Sequence, residues 1–137
     1  MSNRILAPLA AAVLFLTPAA WAQGAAAREP VSDGRTLSEW VGDLKAAAPQ
    51  VRNAAAYEIS GMGPAAAAAV PALIAALDDP EITVRFPVTV ALGEIGPAAR
   101  AAVPKLKQMM EEEINDEIAA SAKRAVRRIQ PEAISGE

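Results

Sequence analysis

The sequence predicts an all-α protein, a short α-solenoid of about three helical hairpins preceded by a signal peptide. Three observations carry that expectation. First, a stretch recurs at a fixed offset: residues 63–73 read GPAAAAAVPAL and residues 96–106 read GPAARAAVPKL, with nine of eleven positions identical at an offset of 33. Second, 34 of the 137 residues are alanine and only 4% are aromatic. Alanine is the best helix former and lets helix backbones approach closely, so the composition favours packed helices over sheets. Third, apolar residues recur at i, i+3, i+4 and i+7 within the half-repeats, the spacing of one helix face. Repeated helical pairs that cannot bury their apolar faces alone must stack, which is the logic of a solenoid.

Residues 1–22 read as an export signal. Arg4 precedes an apolar run over 5–16, Thr17 and Pro18 break it, and Ala20-Trp21-Ala22 supplies a small-x-small cleavage pattern before Gln23. The run is too short to span a bilayer comfortably. The protein is therefore expected to be exported, periplasmic or secreted, without membrane insertion after cleavage. The alternative is an uncleaved anchor, because residues 5–22 carry no charge. Residues 23–35 show no apolar periodicity and are expected to form a flexible leader.

The repeat domain is placed at 36–131, in units of about 36–63, 64–96 and 97–131, with a tail at 132–137. Thr36-Leu37-Ser38-Glu39 is a capping box that opens a helix to about residue 47, with Leu37, Trp40, Val41 and Leu44 on one face. A second helix over about 50–60 is stopped by Gly61, Gly63 and Pro64. The next unit begins near Pro71 and carries Val70, Leu73, Ile74 and Leu77. Asp78-Asp79-Pro80 then caps a helix that ends at Gly93 or Gly96. The third pair carries Val103, Leu106 and Met110, then Ile118, Ala122, Ala125 and Ile129, with Asn115 or Asp116 as cap. It aligns with the second at an offset of 34, Ile95-Gly96-Pro97 matching Ile129-Gln130-Pro131. Val51, Ile59, Val84 and Leu92 complete the expected core.

One residue breaks the pattern. Pro87 stands where the first unit has Ala54, about seven residues beyond Asp79. Inside a helix it forfeits the bond to Thr83 and introduces a kink that turns Phe86 and Val90 toward the groove. Alternatively the helix starts later and Pro87 lies in its first turn.

The units read V-R-x-A-A-A through G-P, followed by A-A-V-P-x-L: Val51-Arg52-Asn53-Ala54-Ala55-Ala56 to Gly63-Pro64, and again Val84-Arg85 to Gly96-Pro97. This resembles the short bacterial HEAT-like repeat, a kind also found in phycobilisome lyases, over about residues 36–131. The resemblance implies a binding scaffold whose second helices line a concave surface. It also implies that Arg52 and Arg85 tie neighbouring units by bonding an aspartate at the inter-helix turn, Asp78 or Asp79. The third unit has Ala119 in place of the arginine, and its last helix is basic (Lys123, Arg124, Arg127, Arg128), as suits a solvated terminal cap.

Chemistry finds few footholds. The chain has no cysteine and no histidine, which excludes disulfides, thiolate chemistry, the usual zinc sites and histidine general-base catalysis. A net charge of −3 argues against nucleic acid as partner. The acidic run Glu111-Glu112-Glu113 fans around a helix and cannot converge on one ion. No glycine has phosphate-loop spacing and no serine sits in a G-x-S-x-G turn. No enzymatic activity, metal or cofactor is expected, and the expected partner is another protein. Its contact row falls on the second helices: Asn53, Phe86 and Ala120 align by the repeat offsets, as do Tyr57, Val90 and Arg124, with Arg128 a turn further. Exposed aromatics beside arginine are what interface centres favour; the competing reading packs Tyr57 and Phe86 between units. The alternatives to an interaction scaffold are an accessory or chaperone-like enzyme subunit and a purely structural repeat module.

Overall fold

The computed structural model describes residues 28–134. The expected signal at 1–22 and the tail beyond Ile134 lie outside the described residues. The chain first forms a small hairpin, β1 (Val31–Ser32) with β2 (Arg35–Thr36), Val31 opposite Thr36. Asp33 and Gly34 link the strands with φ of 48° and 73°, the doubly left-handed turn that Asp-Gly accommodates best. This differs from the unstructured leader expected over 23–35. The indole of Trp40 donates to the Ser32 carbonyl at 3.0 Å, the Leu37 amide donates to the Pro30 carbonyl at 2.9 Å, and the Ser32 hydroxyl donates to Glu58 at 2.6 Å. Those three bonds hold the hairpin on the first helical pair.

Six α-helices follow among the described residues: α1 (Leu37–Asp43), α2 (Pro49–Met62), α3 (Val70–Ala76), α4 (Ile82–Ile95), α5 (Val103–Glu112) and α6 (Asp116–Ile129). Both halves of the Thr36–Glu39 capping box form. α1 ends at Asp43, earlier than its apolar pattern suggests. The amides of Lys45 and Ala46 turn back to the carbonyls of Gly42 and Asp43, three residues away, and the carbonyls of Ala46 and Ala47 beyond accept from the Arg52 guanidinium. Pro49 occupies the first turn of α2, where a missing amide costs nothing. Gly63 and Gly96 close α2 and α4 with φ of 56° and 77°, a conformation that glycine tolerates. Asn115 caps α6, its side chain accepting from the amides of Glu117 and Ile118 at 3.1 Å each.

The repeated GPAAxAA sequence is not simply a helix stop. It folds as a 3₁₀ segment ahead of the next helix, Gly63–Ala69 before α3 and Gly96–Ala102 before α5. Both segments bend at the same place, Ala66 (φ −87°, ψ 17°) and Ala99 (φ −89°, ψ 16°), and both of these alanines are fully buried. Ala69 and Ala102 are sealed in the same way, so two positions of each run are held to a small side chain by packing, whereas Ala65, Ala67 and Ala68 are exposed. Although 49–76 is apolar and long enough to cross a membrane by length and composition, the turn at Gly63 breaks it into α2 and α3.

The helices form two layers. α2, α4 and α6 lie side by side, and α1, α3 and α5 with the 3₁₀ segments pack behind them. Between the layers runs one core that includes Leu37, Ile59, Leu73, Leu77, Val84, Leu92, Leu106, Ile118 and Ile129. Val51 is an exception to the expected core: it remains 37% exposed, whereas Val84 and Ile118 in the same repeat position are sealed. Among the described residues no helical pair precedes the first unit, and the β-hairpin in that place leaves Val51 uncovered. On α5 the buried methionine is Met109, with Met110 only partly covered.

Candidate functional site

Neighbouring units are joined by a repeated arginine rung. Arg52 at the start of α2 bonds Asp79 in the next unit through two parallel contacts, Nε to Oδ2 at 2.6 Å and Nη2 to Oδ1 at 2.9 Å. Its Nη1 also donates to the carbonyls of Ala46 and Ala47 at 2.9 and 3.0 Å. Arg85, in the same repeat position on α4, donates to the carbonyls of Asp79 and Pro80 at 2.9 and 3.2 Å. Its acidic partner is Glu113, at 3.3 Å. Each guanidinium therefore clamps the end of its own hairpin loop and the loop of the unit that follows. The fork geometry of arginine makes this possible; a lysine ammonium lacks the planar array of donors.

The aspartate expectation is met at one rung and corrected at the other. Asp79 serves Arg52, but Asp78 serves neither arginine: it is exposed and pairs with Lys105 on α5 at 2.7 Å. Glu113 stands at the offset-34 position of Asp79, so aligning the acids along with the arginines reveals it. The Arg52 guanidinium and the Glu81 amide hold the Asp79 carboxyl below the ordinary aspartate range. That same bond from Glu81 is the contribution of Asp79 to the start of α4, whose cap position is Glu81 rather than an aspartate.

The contact row expected on the second helices divides into two groups. Asn53 is committed to structure, its side-chain amide donating to the Thr83 carbonyl on α4 at 2.5 Å. Phe86 is half-buried and packed against the core. Arg128 is held by Glu94 through two bonds of 2.8 Å. Tyr57, by contrast, is 49% exposed on α2, Val90 is partly exposed on α4, and Arg124 is exposed on α6. Pro87 lies inside α4, not at its start, and the helix runs through it from Ile82 to Ile95.

Between α4 and α6 lies a cleft of about 100 Å³ lined by Thr89, Val90, Gly93, Glu94, Ser121, Arg124, Ala125 and Arg128. Its floor is a buried hydroxyl pair. Thr89 donates to the Phe86 carbonyl at 2.7 Å, which leaves the Ser121 hydroxyl to donate to Thr89 at 2.5 Å. Gly93 allows the close approach of α4 and α6 beside it: a Cβ there would stand 3.2 Å from the Cα of Ala125. Thr89 and Ser121 stand where the first unit has Ala56 and Ala54, and that departure is the only signal the sequence offers for them; Gly93 stands where the first unit has another small residue, Ser60. Among the described residues no group of three or more acidic side chains could hold a metal ion.

No curated protein and no solved structure matches the chain. A family model described as HEAT repeats matches residues 38–127. That match covers α1 through most of α6, and the stacked helical pairs agree with it. The chain belongs to the HEAT repeat family.

Proposed function

We propose that this protein is an exported interaction scaffold that binds another protein through the outer face of α2, α4 and α6. HEAT repeats are in general protein-interaction scaffolds, so the coarse role follows from the family. The observation that carries the finer reading is Tyr57. It is a large aromatic, 49% exposed, on a helix whose inward positions Ala55, Ala56 and Ile59 are fully buried. It is not among the side chains packed against the core, and tyrosine is favoured at the centres of protein interfaces. Export rests on the signal-like pattern at 1–22, and the role proposed involves no catalytic step.

Two measurements test this. Crosslinking in the native host should capture a specific partner with the wild-type chain and lose it with Tyr57→Ser/Val90→Asn. A partner list unchanged by those substitutions overturns the proposed face. Intact mass of the protein from its host should show a mature chain beginning at Gln23 or Gly24; a species retaining residues 1–22 in the membrane fraction overturns export of a cleaved form.

A further inference from the structure

The α4–α6 cleft carries a positive charge that the fold does not neutralise. Arg124 is exposed at its rim and, among the described residues, meets no carboxylate. The reason is local. On its own helix the positions three and four residues away are Ala120, Ser121, Arg127 and Arg128, so no acid stands within helical reach. Across the cleft the one acid is Glu94, and both of its oxygens are taken by Arg128. Arg128 and Glu94 thus cancel each other and leave Arg124 as the cation available to a ligand. Beside it, Val90 offers an apolar wall and Thr89 and Ser121 an occupied floor.

We infer that this cleft receives an acidic side chain of a partner polypeptide, its carboxylate on the Arg124 guanidinium and its flanking apolar residues on Val90 and Tyr57. This rests on the binding face proposed above and specifies what occupies it. A guanidinium recognises a carboxylate through two parallel donors. The apolar companions favour a peptide over a nucleic acid, as does the net charge of −3. Spacing follows from the helix layer. Packed helices lie roughly 8–10 Å apart, and an extended chain covers about 3.3 Å per residue. A segment crossing the three helices therefore places an apolar residue about three positions from the acid, over Val90, and a second about three positions beyond, over Tyr57.

The test is selection of phage-displayed random dodecapeptides on the full chain, followed by affinity measurement with fluorescein-labelled copies of the enriched peptides. The expected result is enrichment of an aspartate or glutamate with apolar residues about three and six positions away. Affinity is expected to fall about tenfold or more with Arg124→Gln and to stay within about twofold with Arg127→Gln, whose side chain does not line the cleft. Amidation of the peptide's acid should reproduce the loss. Enriched peptides without an acid, weakened by Tyr57→Ser but not by Arg124→Gln, would overturn the acidic occupant and leave the binding face standing. Enriched peptides indifferent to both substitutions would overturn both, and failure of any sequence to enrich would overturn the cleft as a peptide site.

Discussion

Asn53 donates its side-chain amide to the carbonyl of Thr83, the group that Pro87 leaves without its helical partner. In a regular helix the Thr83 carbonyl accepts from the amide four residues on, and here that residue is a proline with no N–H. The preceding unit supplies the missing donor. A defect in one helix thereby becomes a bond between two.

The vacancy and its repair are separable by mutation. A proline inside a helix costs about 3 kcal/mol, of which the Asn53 bond and burial of the ring recover a part. Pro87→Ala is therefore expected to stabilise the protein by about 1–3 kcal/mol in urea denaturation. Asn53→Ala is expected to cost about 1 kcal/mol in the wild type. In the Pro87→Ala background, where α4 supplies its own amide to the Thr83 carbonyl, it should cost clearly less. Equal costs in the two backgrounds would mean that Asn53 does not compensate for the proline.

The hydroxyl pair beneath the cleft makes an asymmetric prediction. Ser121→Ala leaves Thr89 still bonded to the Phe86 carbonyl and is expected to be mild. Thr89→Val strands the buried Ser121 hydroxyl and is expected to cost about 1–3 kcal/mol. Combining the two removes the stranded group, so the double variant should be more stable than Thr89→Val alone. Simple addition of the two losses would contradict the pairing.

Two helical glycines should respond oppositely to alanine. At Gly61 an added Cβ meets nothing within 4 Å, and Gly61→Ala is expected to gain about 0.5–1 kcal/mol from restricted unfolded-chain freedom. At Gly93 the same Cβ presses on Ala125 at 3.2 and 3.4 Å from its Cα and Cβ, and backbone at that distance yields only if α4 and α6 part. Gly93→Ala is expected to forfeit the gain or lose stability, and Gly93→Val to lose more. Thermal midpoints of the three variants decide it.

Acid sensitivity should trace in part to the first rung. Asp79 has a folded-state pKa below its unfolded value, chiefly through the bond from Arg52. Glu39 is likewise lowered by the Thr36 amide and hydroxyl of the capping box. A carboxyl of this kind contributes stability above its unfolded pKa and loses it as pH falls through the folded one. Stability should therefore drop below about pH 4. Asp79→Asn should be less stable than wild type at about pH 6, with the gap narrowing toward about pH 3. A gap independent of pH would mean that ionisation of Asp79 contributes nothing.

Periodicity sufficed for the units, the helix pairing and most of the core, because a 33-residue recurrence of helix-forming, alanine-rich sequence has one economical solution: hairpins stacked through their apolar faces. The capping box at Thr36 and the arginines of the rungs were legible for the same reason, since each acts within a turn or recurs at the same place in successive units. The hairpin at 31–36 escaped because its strands are too short to show alternation, although Asp33-Gly34 names its turn. The contact row was legible by position but not by role. Asn53, Phe86 and Arg128 look as available as Tyr57 and Arg124 when read along the chain. What distinguishes them is what packs beside them: Thr83 claims Asn53, the core claims Phe86 and Glu94 claims Arg128. The two hydrogen-bonded claims run across 30 and 34 residues of chain, between groups whose sequences say nothing of one another's position. Local sequence decides which residues can form a helix face. Only packing decides which of them already have a partner, and so which are left to meet one from outside.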